Sequence, residues 1–202
     1  MSSIELVSRP VPAPATRDLL VDKWNQSQPA YKELSSQARD FLYWVNYCRR
    51  NPDGFWDSVV RPLLKVFPPL DVAEAKSLKA DLAKAGPLPM FSLNNALVRT
   101  AQLHAFDITT KKANPSHTST NGTDFGSRMK NAGIKRCANE NIAVSSQGSL
   151  LAVVLLYLDI GLPDLGHRKA LLNPILLETG VAAASLGKDQ FFLVQDLSCS
   201  QD

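Results

Sequence analysis

The chain has 202 residues, of which 45% are apolar and 20% are charged, and its formal net charge is +3. This is the composition of an ordinary globular domain with a sizeable core. Acidic and basic residues are interspersed, so the charge pattern predicts no nucleic-acid partner. The longest apolar run, from Leu150 to Leu158, is too short to cross a bilayer, and no integral membrane segment is predicted.

The N-terminal region, residues 1–34, is predicted to be an extended arm that packs on the domain. Its apolar residues follow no clear period, and it is interrupted by Pro10, Pro12, Pro14 and Pro29. The first five residues contain no basic region followed by an apolar stretch, so no signal peptide is predicted there. A single domain is predicted from residue 35 to residue 202.

Apolar residues recur at helical spacing from residue 35 onward, and proline, asparagine and glycine interrupt the pattern. Ser92 is the predicted N-cap of one helix, and Thr123 that of another. The predicted helices span 41–49, 53–66 with a kink near Pro62, 93–108, 124–132, 149–158 and 166–172. Residues 71–90 are predicted to form a connection that contains one short helix.

Strand-like segments concentrate near the C-terminus. Residues 179–185 and 190–197 flank Leu186-Gly187-Lys188-Asp189, which is typical of a hairpin turn. A further strand is predicted over residues 141–145. Helices therefore surround a small, mostly antiparallel sheet, and the predicted class is α+β without internal repeats.

Three cysteines allow at most one internal disulfide and leave one thiol over. Cys48 lies in a helical pattern and is predicted to be buried. Cys137 and Cys199 flank strand-like segments and are the candidate pair, although the sequence alone favours leaving them unpaired. No two cysteines have the spacing of a CxxC motif, so a zinc site made of cysteines is not predicted.

Three side chains stand where irregular backbone meets regular structure, which is where binding sites tend to form. They are His117 in a loop of small polar residues, Glu140 directly before a strand, and His167 at the start of a helix. Imidazoles can bind zinc, and carboxylates can either join them as ligands or orient the rings. Without a metal, a glutamate and a histidine can exchange protons with water. Spacing alone does not distinguish such a site from structural histidines.

Five short motifs occur in one order: His104-Ala-Phe-Asp107; Ser116-His-Thr118, with Gly122 and Arg128; Glu140-Asn-Ile-Ala143; Gly166-His-Arg168 through Leu172-Asn-Pro174; and Gly180-Val-Ala182. Together with Val45-Asn46 and Arg49-Arg50-Asn51-Pro52, they resemble the CAP superfamily of cysteine-rich secretory, antigen 5 and pathogenesis-related 1 proteins. The resemblance covers residues 35–198.

The resemblance implies a three-layer α-β-α sandwich with a cavity that holds two histidines and two acids. By motif, these are His117, His167 and Glu140, with Asp159 as the fourth residue and Asp164 as its rival. Many relatives have glutamate at the fourth position, and this chain departs from them by having an aspartate. A divalent metal is the implied cofactor, with zinc as the preferred candidate.

The residues and the resemblance together favour a binding or interaction module, extracellular or periplasmic, with a groove for a lipid, sterol, peptide or glycan. The alternative is a zinc-dependent hydrolase in which Glu140 acts as general base. A third hypothesis makes the four residues a polar framework that holds the cavity open. His104, Arg128 and Asn141 are predicted to be structural, with His104 in the core, Arg128 bound to carbonyls or a carboxylate, and Asn141 bound to loop backbone.

Overall fold

The computed structural model describes residue 6 and residues 9–201. Its helices are α1 (Leu19–Ser27), α2 (Ser36–Arg50), α3 (Pro52–Phe55), α4 (Arg61–Val66), α5 (Ala73–Ala85), α6 (Asn95–Thr110), α7 (Phe125–Asn131), α8 (Gly148–Leu158) and α9 (Gly166–Leu171). Short 3₁₀ segments cover Pro29–Glu33 and Pro68–Leu70, and a π turn covers Trp56–Val60. The strands are β1 (Ser92–Leu93), β2 (Ala138–Ser145), β3 (Glu178–Gly187) and β4 (Gln190–Ser198).

The four strands form one sheet in the order β1-β3-β4-β2. Strands β3 and β4 make the predicted hairpin, and β2 pairs antiparallel with β4, so that Glu140 lies opposite Asp196. Only the short β1 runs parallel to its neighbour. The sheet is therefore mostly antiparallel, as the sequence predicts.

Helices cover both faces of this sheet. Helix α6 packs on β3 and β4 on one face, where Ala105, Phe192 and Val194 form part of a small apolar cluster. Helices α2 and α8 cover the other face, in the larger core. Because β4 lies between two strands and two helical layers, it is buried on both sides, and its residues are mostly apolar apart from Gln195 and Asp196. The predicted three-layer α-β-α sandwich is confirmed.

Helix α6 approaches β3 unusually closely at Gly180. A Cβ atom at that position would collide with the backbone of Leu97 and Val98. Glycine is therefore required here by the separation of helix and strand, since any side chain would force the two layers apart.

The N-terminal segment is helical where an extended arm was predicted. Asp18 caps α1 by accepting hydrogen bonds from the backbone amides of Leu20 and Val21, and Val21 and Asn25 are buried. The Trp24 indole donates to the Phe91 carbonyl at 2.9 Å. The four prolines suggested an irregular segment, but all of them lie outside residues 19–27, so none interrupts this helix. The predictions for residues 1–5, 7 and 8 lie outside the described residues, as does residue 202.

Two predicted helix caps are also displaced by one or two residues. Ser92 belongs to β1, and Asn94 caps α6 instead. Asp124, rather than Thr123, caps α7 through the Ser127 amide. In both cases a better-placed amide or carboxylate oxygen lies next to the helix, and such oxygens are strong caps.

Cys137 and Cys199 form a disulfide, with their Cα atoms 5.5 Å apart. The sequence favoured leaving these cysteines unpaired, and that prediction is wrong because the register of β2 and β4 brings the two positions side by side. Cys48 is a buried free thiol, as predicted. Burial raises the pKa of the Cys48 thiol to about 12, which keeps it neutral.

Arg49 is a fully buried cation at the end of α2. Its guanidinium donates to the carbonyls of Pro89, Leu171, Asn173 and Leu176. Burial lowers the pKa of Arg49 to about 10, so it remains charged at neutral pH. Arg49 thus ties α2 to the segment that follows α9 and leads into β3.

Candidate functional site

A cavity of about 290 Å³ lies between the loop that precedes α7, strand β2 and the start of α9. It brings together three of the residues that sequence analysis selected, His117, Glu140 and His167. Its lining is completed by Asn139, Asn141, Leu162, Asp164 and Gly166. The topology therefore joins residues that are far apart in the chain.

On one side of the cavity, Glu140 joins a histidine to an arginine. His117 Nδ1 lies 2.8 Å from Glu140 Oε1, and Arg128 donates to Glu140 Oε2. Arg128 also donates to the His117 carbonyl at 2.7 Å. The Glu140 side chain is 1% exposed, whereas that of His117 is 54% exposed. A buried carboxylate thus holds a histidine at the surface, and the predicted structural role of Arg128 is confirmed.

The Glu140 carboxyl is held in its ionised form. Burial raises the pKa of Glu140, but the hydrogen bond from His117 and the charge of Arg128 lower it by more. The net pKa therefore lies below the usual value. A carboxylate with a lowered pKa is a weak proton acceptor at neutral pH. The arrangement therefore suits Glu140 to orienting His117 better than to general base catalysis.

On the other side of the cavity, His167 is held by Asp159. His167 Nδ1 lies 2.6 Å from Asp159 Oδ1, and Asp159 Oδ2 accepts from the Arg168 amide at 3.0 Å. Asp159 ends α8 in a left-handed conformation, with φ of 55°, which turns the chain back toward the start of α9. Its side chain is 1% exposed.

Asp159 and Asp164, the two candidates for the fourth position of the site, lie in different places. Asp164 lines the cavity and Asp159 does not. Asp159 meets the cavity through the His167 ring, to which it is hydrogen-bonded, and its place as the fourth residue of the site stays a prediction. Whether any of these residues binds a metal stays a prediction.

The two histidines present the same nitrogen. A carboxylate only accepts hydrogen bonds, so Nδ1 of each ring carries the proton, and Nε2 is left with its lone pair. Within residues 9–201 no three His, Cys, Asp or Glu side chains converge as metal ligands. The residues therefore fit a site based on two imidazoles, and they do not form the three-ligand set that is usual in catalytic zinc sites.

Sequence analysis missed a buried acid next to Glu140. Asp196 lies opposite it on β4, is 0% exposed, and accepts from the Thr100 hydroxyl at 2.6 Å. Burial, and then the charge of Glu140, raise the pKa of Asp196 well above its usual value. A polar pair, Gln195-Asp196, within an otherwise apolar strand was the one available signal.

The Asp196→Asn variant is expected to change how stability depends on pH. A carboxyl with a raised folded pKa stabilises the fold below its unfolded pKa of about 4, and this contribution is lost as pH rises through the folded pKa. In urea denaturation at acidic pH, the free energies of unfolding of the variant and the wild type should therefore differ by less than about 1 kcal/mol. At alkaline pH the variant should be the more stable.

The matched control is Asp189→Asn in the exposed turn between β3 and β4. This control should track the wild-type stability across the same pH range. If Asp196→Asn tracked it too, the assignment of a neutral, buried Asp196 would be refuted.

His104 is a core residue, as the sequence predicts. It is 1% exposed, with Nε2 2.8 Å from the Ser116 carbonyl and Nδ1 3.2 Å from the Ser119 hydroxyl. Burial and the nearby charge of Arg128 lower the pKa of His104. Both ring nitrogens are therefore occupied, and His104 helps to hold the loop that carries His117.

Asn141 has a different partner from the one predicted. Its amide donates to the Gln195 side chain at 2.9 Å and not to loop backbone. The register of β2 and β4 places these two side chains opposite each other inside the sheet. The pair gives the buried Asn141 amide group an acceptor, while the buried Gln195 Nε2 is left without a partner among the described residues.

Arg168, next to His167, fixes the start of α9. It is 1% exposed and donates to the carbonyls of Tyr157 and Leu158 at the end of α8. It also reaches Ser77, Asp81 and the Glu74 carbonyl in α5. Three helices therefore meet at one guanidinium, and this is what positions His167 against Asp159.

The family model of the cysteine-rich secretory protein (CAP) family matches residues 42–197, which is most of the chain. The chain belongs to this family. The motifs that suggested the resemblance therefore lie in a CAP domain. No curated protein is significantly similar to it in sequence.

Several solved structures are similar to this CAP domain. An extracellular protein containing an SCP domain from Bacillus anthracis is 24% identical, with a TM-score of 0.46 over 56% of this chain and 35% of that one. An outer surface protein from Borrelia burgdorferi is 16% identical, with a TM-score of 0.47 over 68% and 92%. A cysteine-rich secretory protein from Staphylococcus aureus is 14% identical, with a TM-score of 0.40 over 65% and 38%.

The CAP domain spans 35% of the length of the Bacillus protein. Among the helices of the described residues, none combines the length and the apolar character needed to span a bilayer.

Proposed function

We propose that this CAP domain is an extracytoplasmic binding module whose cavity takes up a divalent metal, and that a groove on the same domain accepts a further ligand. The observation that carries the proposal is the pairing of each cavity histidine with a buried carboxylate. His117 pairs with Glu140, and His167 with Asp159. This is the outer-shell arrangement that orients metal-binding imidazoles and raises their basicity.

The residues that would hold the metal are His117 and His167, each through Nε2. Zinc is the preferred candidate, because neutral imidazole nitrogens suit it and two of them already line one cavity. Besides Glu140, Asp164 is a second carboxylate that lines the same space. When bound, the metal would supply a positive charge that attracts an anionic group of a ligand or partner.

The Cys137–Cys199 bridge supports the extracytoplasmic part of the proposal. Disulfides persist in oxidising compartments and are rare in reduced ones. The bridge joins the ends of two neighbouring strands, where it stabilises a small sheet at the edge of the candidate cavity. Such a use of cysteine is typical of secreted and surface proteins.

Hydrolysis is less well supported by the same geometry. The hypothesis needs Glu140 to accept a proton from metal-bound water, but its carboxylate is buried, paired with Arg128 and bonded to His117. Its lowered pKa also makes it a weak base. A third protein ligand, usual for catalytic zinc, is not in place among the described side chains.

Isothermal titration with zinc tests the proposed metal site. The wild-type domain is expected to bind one zinc ion, and the His117→Ala, His167→Ala double variant should bind more than about tenfold more weakly, since it lacks both imidazoles. The matched control is Thr118→Ala with Lys169→Ala, which alters an exposed neighbour of each histidine.

The control should bind zinc as the wild type does, and circular dichroism should show that every variant is folded. Equal zinc binding by the wild type and the double variant would defeat the metal proposal. A large loss of thermal stability in the double variant, without any wild-type response to zinc or chelator, would favour the polar-framework hypothesis instead.

A further inference from the structure

Helix α6 leaves two large apolar side chains on the outer surface of the sandwich. Leu103 is 58% exposed and Phe106 is 65% exposed, whereas Ala101, Ala105 and Ile108, on the inner side of the helix, pack against the sheet. Positions three apart on a helix are neighbours, so Leu103 and Phe106 form one apolar surface. Isolated exposed apolar residues are normal, but two adjacent ones leave an apolar area in water that contact with a partner would cover.

A charged residue lies on each side of Leu103 at the same distance. Arg99, Leu103 and Asp107 follow one another at intervals of four residues, so they form one row along the helix surface. With a rise of about 1.5 Å per residue, the two charged positions lie about 6 Å from that of Leu103 along the axis, in opposite directions. The row therefore has a cation at one end, an anion at the other and an apolar residue at its centre.

The cation of this row is not engaged by its own chain. Arg99 is exposed, and no hydrogen bond or ion pair joins its guanidinium to another residue in the part of the chain that the structure describes. By contrast, Arg17 and Arg50 on the surface are each paired with aspartate. Arg99 can therefore meet a carboxylate of another molecule without breaking a contact of the fold.

The anion of the row also has room for a further partner. Asp107 accepts from the Thr120 amide at 2.7 Å and from the Thr120 hydroxyl at 2.6 Å, and these hydrogen bonds hold its pKa below the usual value. A carboxylate has about four acceptor positions, so these two bonds do not exhaust it. Asp107 also lines a cavity of about 530 Å³ between α6 and α7, together with Arg99 and Leu103. A guanidinium can reach Asp107 from this cavity.

The row matches a copy of itself that is turned about a two-fold axis. In an antiparallel pair of helices centred on Leu103, position 99 of one helix lies opposite position 107 of the other, because both are four residues from the centre. Arg99 of each copy then faces Asp107 of the other. A parallel pair in the same register would instead place like charges together. Rows at four-residue spacing also give the commonest packing of two helices, with a crossing angle of about 50°.

We infer that the outer face of α6 is the contact surface of a homodimer, in which α6 of a second copy crosses it about a two-fold axis at Leu103. Two ion pairs between Arg99 and Asp107 flank an apolar centre that takes Leu103 and Phe106 out of water. The partner is a second copy because one patch supplies both halves of the match, as in the two-fold interfaces of most homodimers. This inference goes beyond the proposed function and does not depend on it.

Sedimentation equilibrium of the whole chain in the presence of a chelator tests the inference. Chelator is needed because His117 is exposed, and a metal ion held there by two copies would give a different dimer. A helix pair buries less than the standard interface of about 1,600 Å², so the expected dissociation constant lies between about 10 μM and about 1 mM. The dimer should be weaker at about 1 M salt, where ion pairs are screened.

Leu103→Glu is expected to remain monomeric across the same concentrations, since two carboxylates would meet at the two-fold axis. The matched control is Leu20→Glu on α1, where the leucine is similarly exposed, at 54%. This control should dimerise as the wild type does. Both positions are exposed, so both variants should fold.

Reversal of the charges tests the register of the contact. Arg99→Asp and Asp107→Arg are each expected to weaken the dimer about tenfold, because both ion pairs become pairs of like charge. In an equimolar mixture of the two variants, each carboxylate again faces a guanidinium. The mixture should therefore form a mixed dimer with an affinity within about threefold of the wild type.

Three results would overturn the inference. They are a wild type that stays monomeric in chelator at about 1 mM, dimerisation of Leu103→Glu equal to that of Leu20→Glu, and a mixture that associates no more tightly than the single variants. Circular dichroism shows whether Asp107→Arg folds, since this change removes the contacts with Thr120. If it does not fold, Leu103→Glu and Arg99→Asp still decide, and a dimer unaffected by both would refute the α6 contact.

Discussion

The Arg168→Met variant is expected to lose about 3–5 kcal/mol of unfolding free energy in urea or thermal denaturation. Methionine can fill the space of the aliphatic stem, but it donates no hydrogen bonds. The carbonyls of Tyr157 and Leu158 would then be buried without this donor. Each buried acceptor left unpaired costs about 1–3 kcal/mol, which is why the expected loss is large.

Lys169→Met is the control for Arg168→Met. It removes one positive charge from the same helix, but Lys169 is exposed, so the expected change is within about 0.5 kcal/mol. The Arg168→Met variant should also bind zinc more weakly wherever the wild type binds it, since His167 follows the start of α9. A stability close to that of the control would show that the guanidinium does not hold the three helices together.

The Gly180→Ala variant is expected to be destabilised by more than about 4 kcal/mol, or to fail to fold at all. The added methyl would meet backbone atoms of Leu97 and Val98, which cannot rotate away as a side chain can. Relief requires α6 to move off β3, and the packing of one whole layer of the sandwich depends on that contact. The measurement is the urea midpoint, or the soluble yield if the variant does not fold.

Gly133→Ala provides the comparison for Gly180→Ala. An added Cβ at residue 133 meets nothing within 4 Å, but the backbone there has φ of +78°. The cost is therefore conformational only, at about 1–2 kcal/mol. A larger loss at Gly133 than at Gly180 would mean that backbone conformation, and not the separation of α6 and β3, decides which glycines the domain requires.

The sequence predicted the elements whose pattern is long and regular. Helix α8 is almost wholly apolar because it is buried on all sides between α2 and the sheet, and it was found within one residue of its observed bounds. The β3–β4 hairpin was found through its turn residues. Helix α1 was missed because it is short and only two of its residues are buried, so its pattern is weak.

The motifs predicted which residues belong to the candidate site. They could not predict how those residues are arranged. His117, Glu140 and His167 do line one cavity, but the sequence could not tell that Asp159 holds the His167 ring while Asp164 lines the cavity. That choice depends on the left-handed turn at Asp159, which is a single backbone conformation. Asp196 was missed because only the register of β2 and β4 places it opposite Glu140.

Register also explains why the disulfide was not favoured from sequence. Residues 137 and 199 are separated by 62 positions, and nothing local brings them together. The pairing of β2 with β4 does so, because it places Ala138 opposite Ser198, directly next to the two cysteines. Pairings of this kind are decided by tertiary structure and are only weakly visible in spacing.

The position of the Cys137–Cys199 bridge has a consequence for how the sheet can open. Cys137 precedes Glu140 by three residues, and Cys199 follows Asp196 by three, so the bridge closes the end of the ladder nearest the carboxyl pair. Strands normally fray from their ends, and a covalent link removes that route. Local unfolding of β2 and β4 must therefore start from the far end, near Ser145 and Phe191, and reach the two acids last.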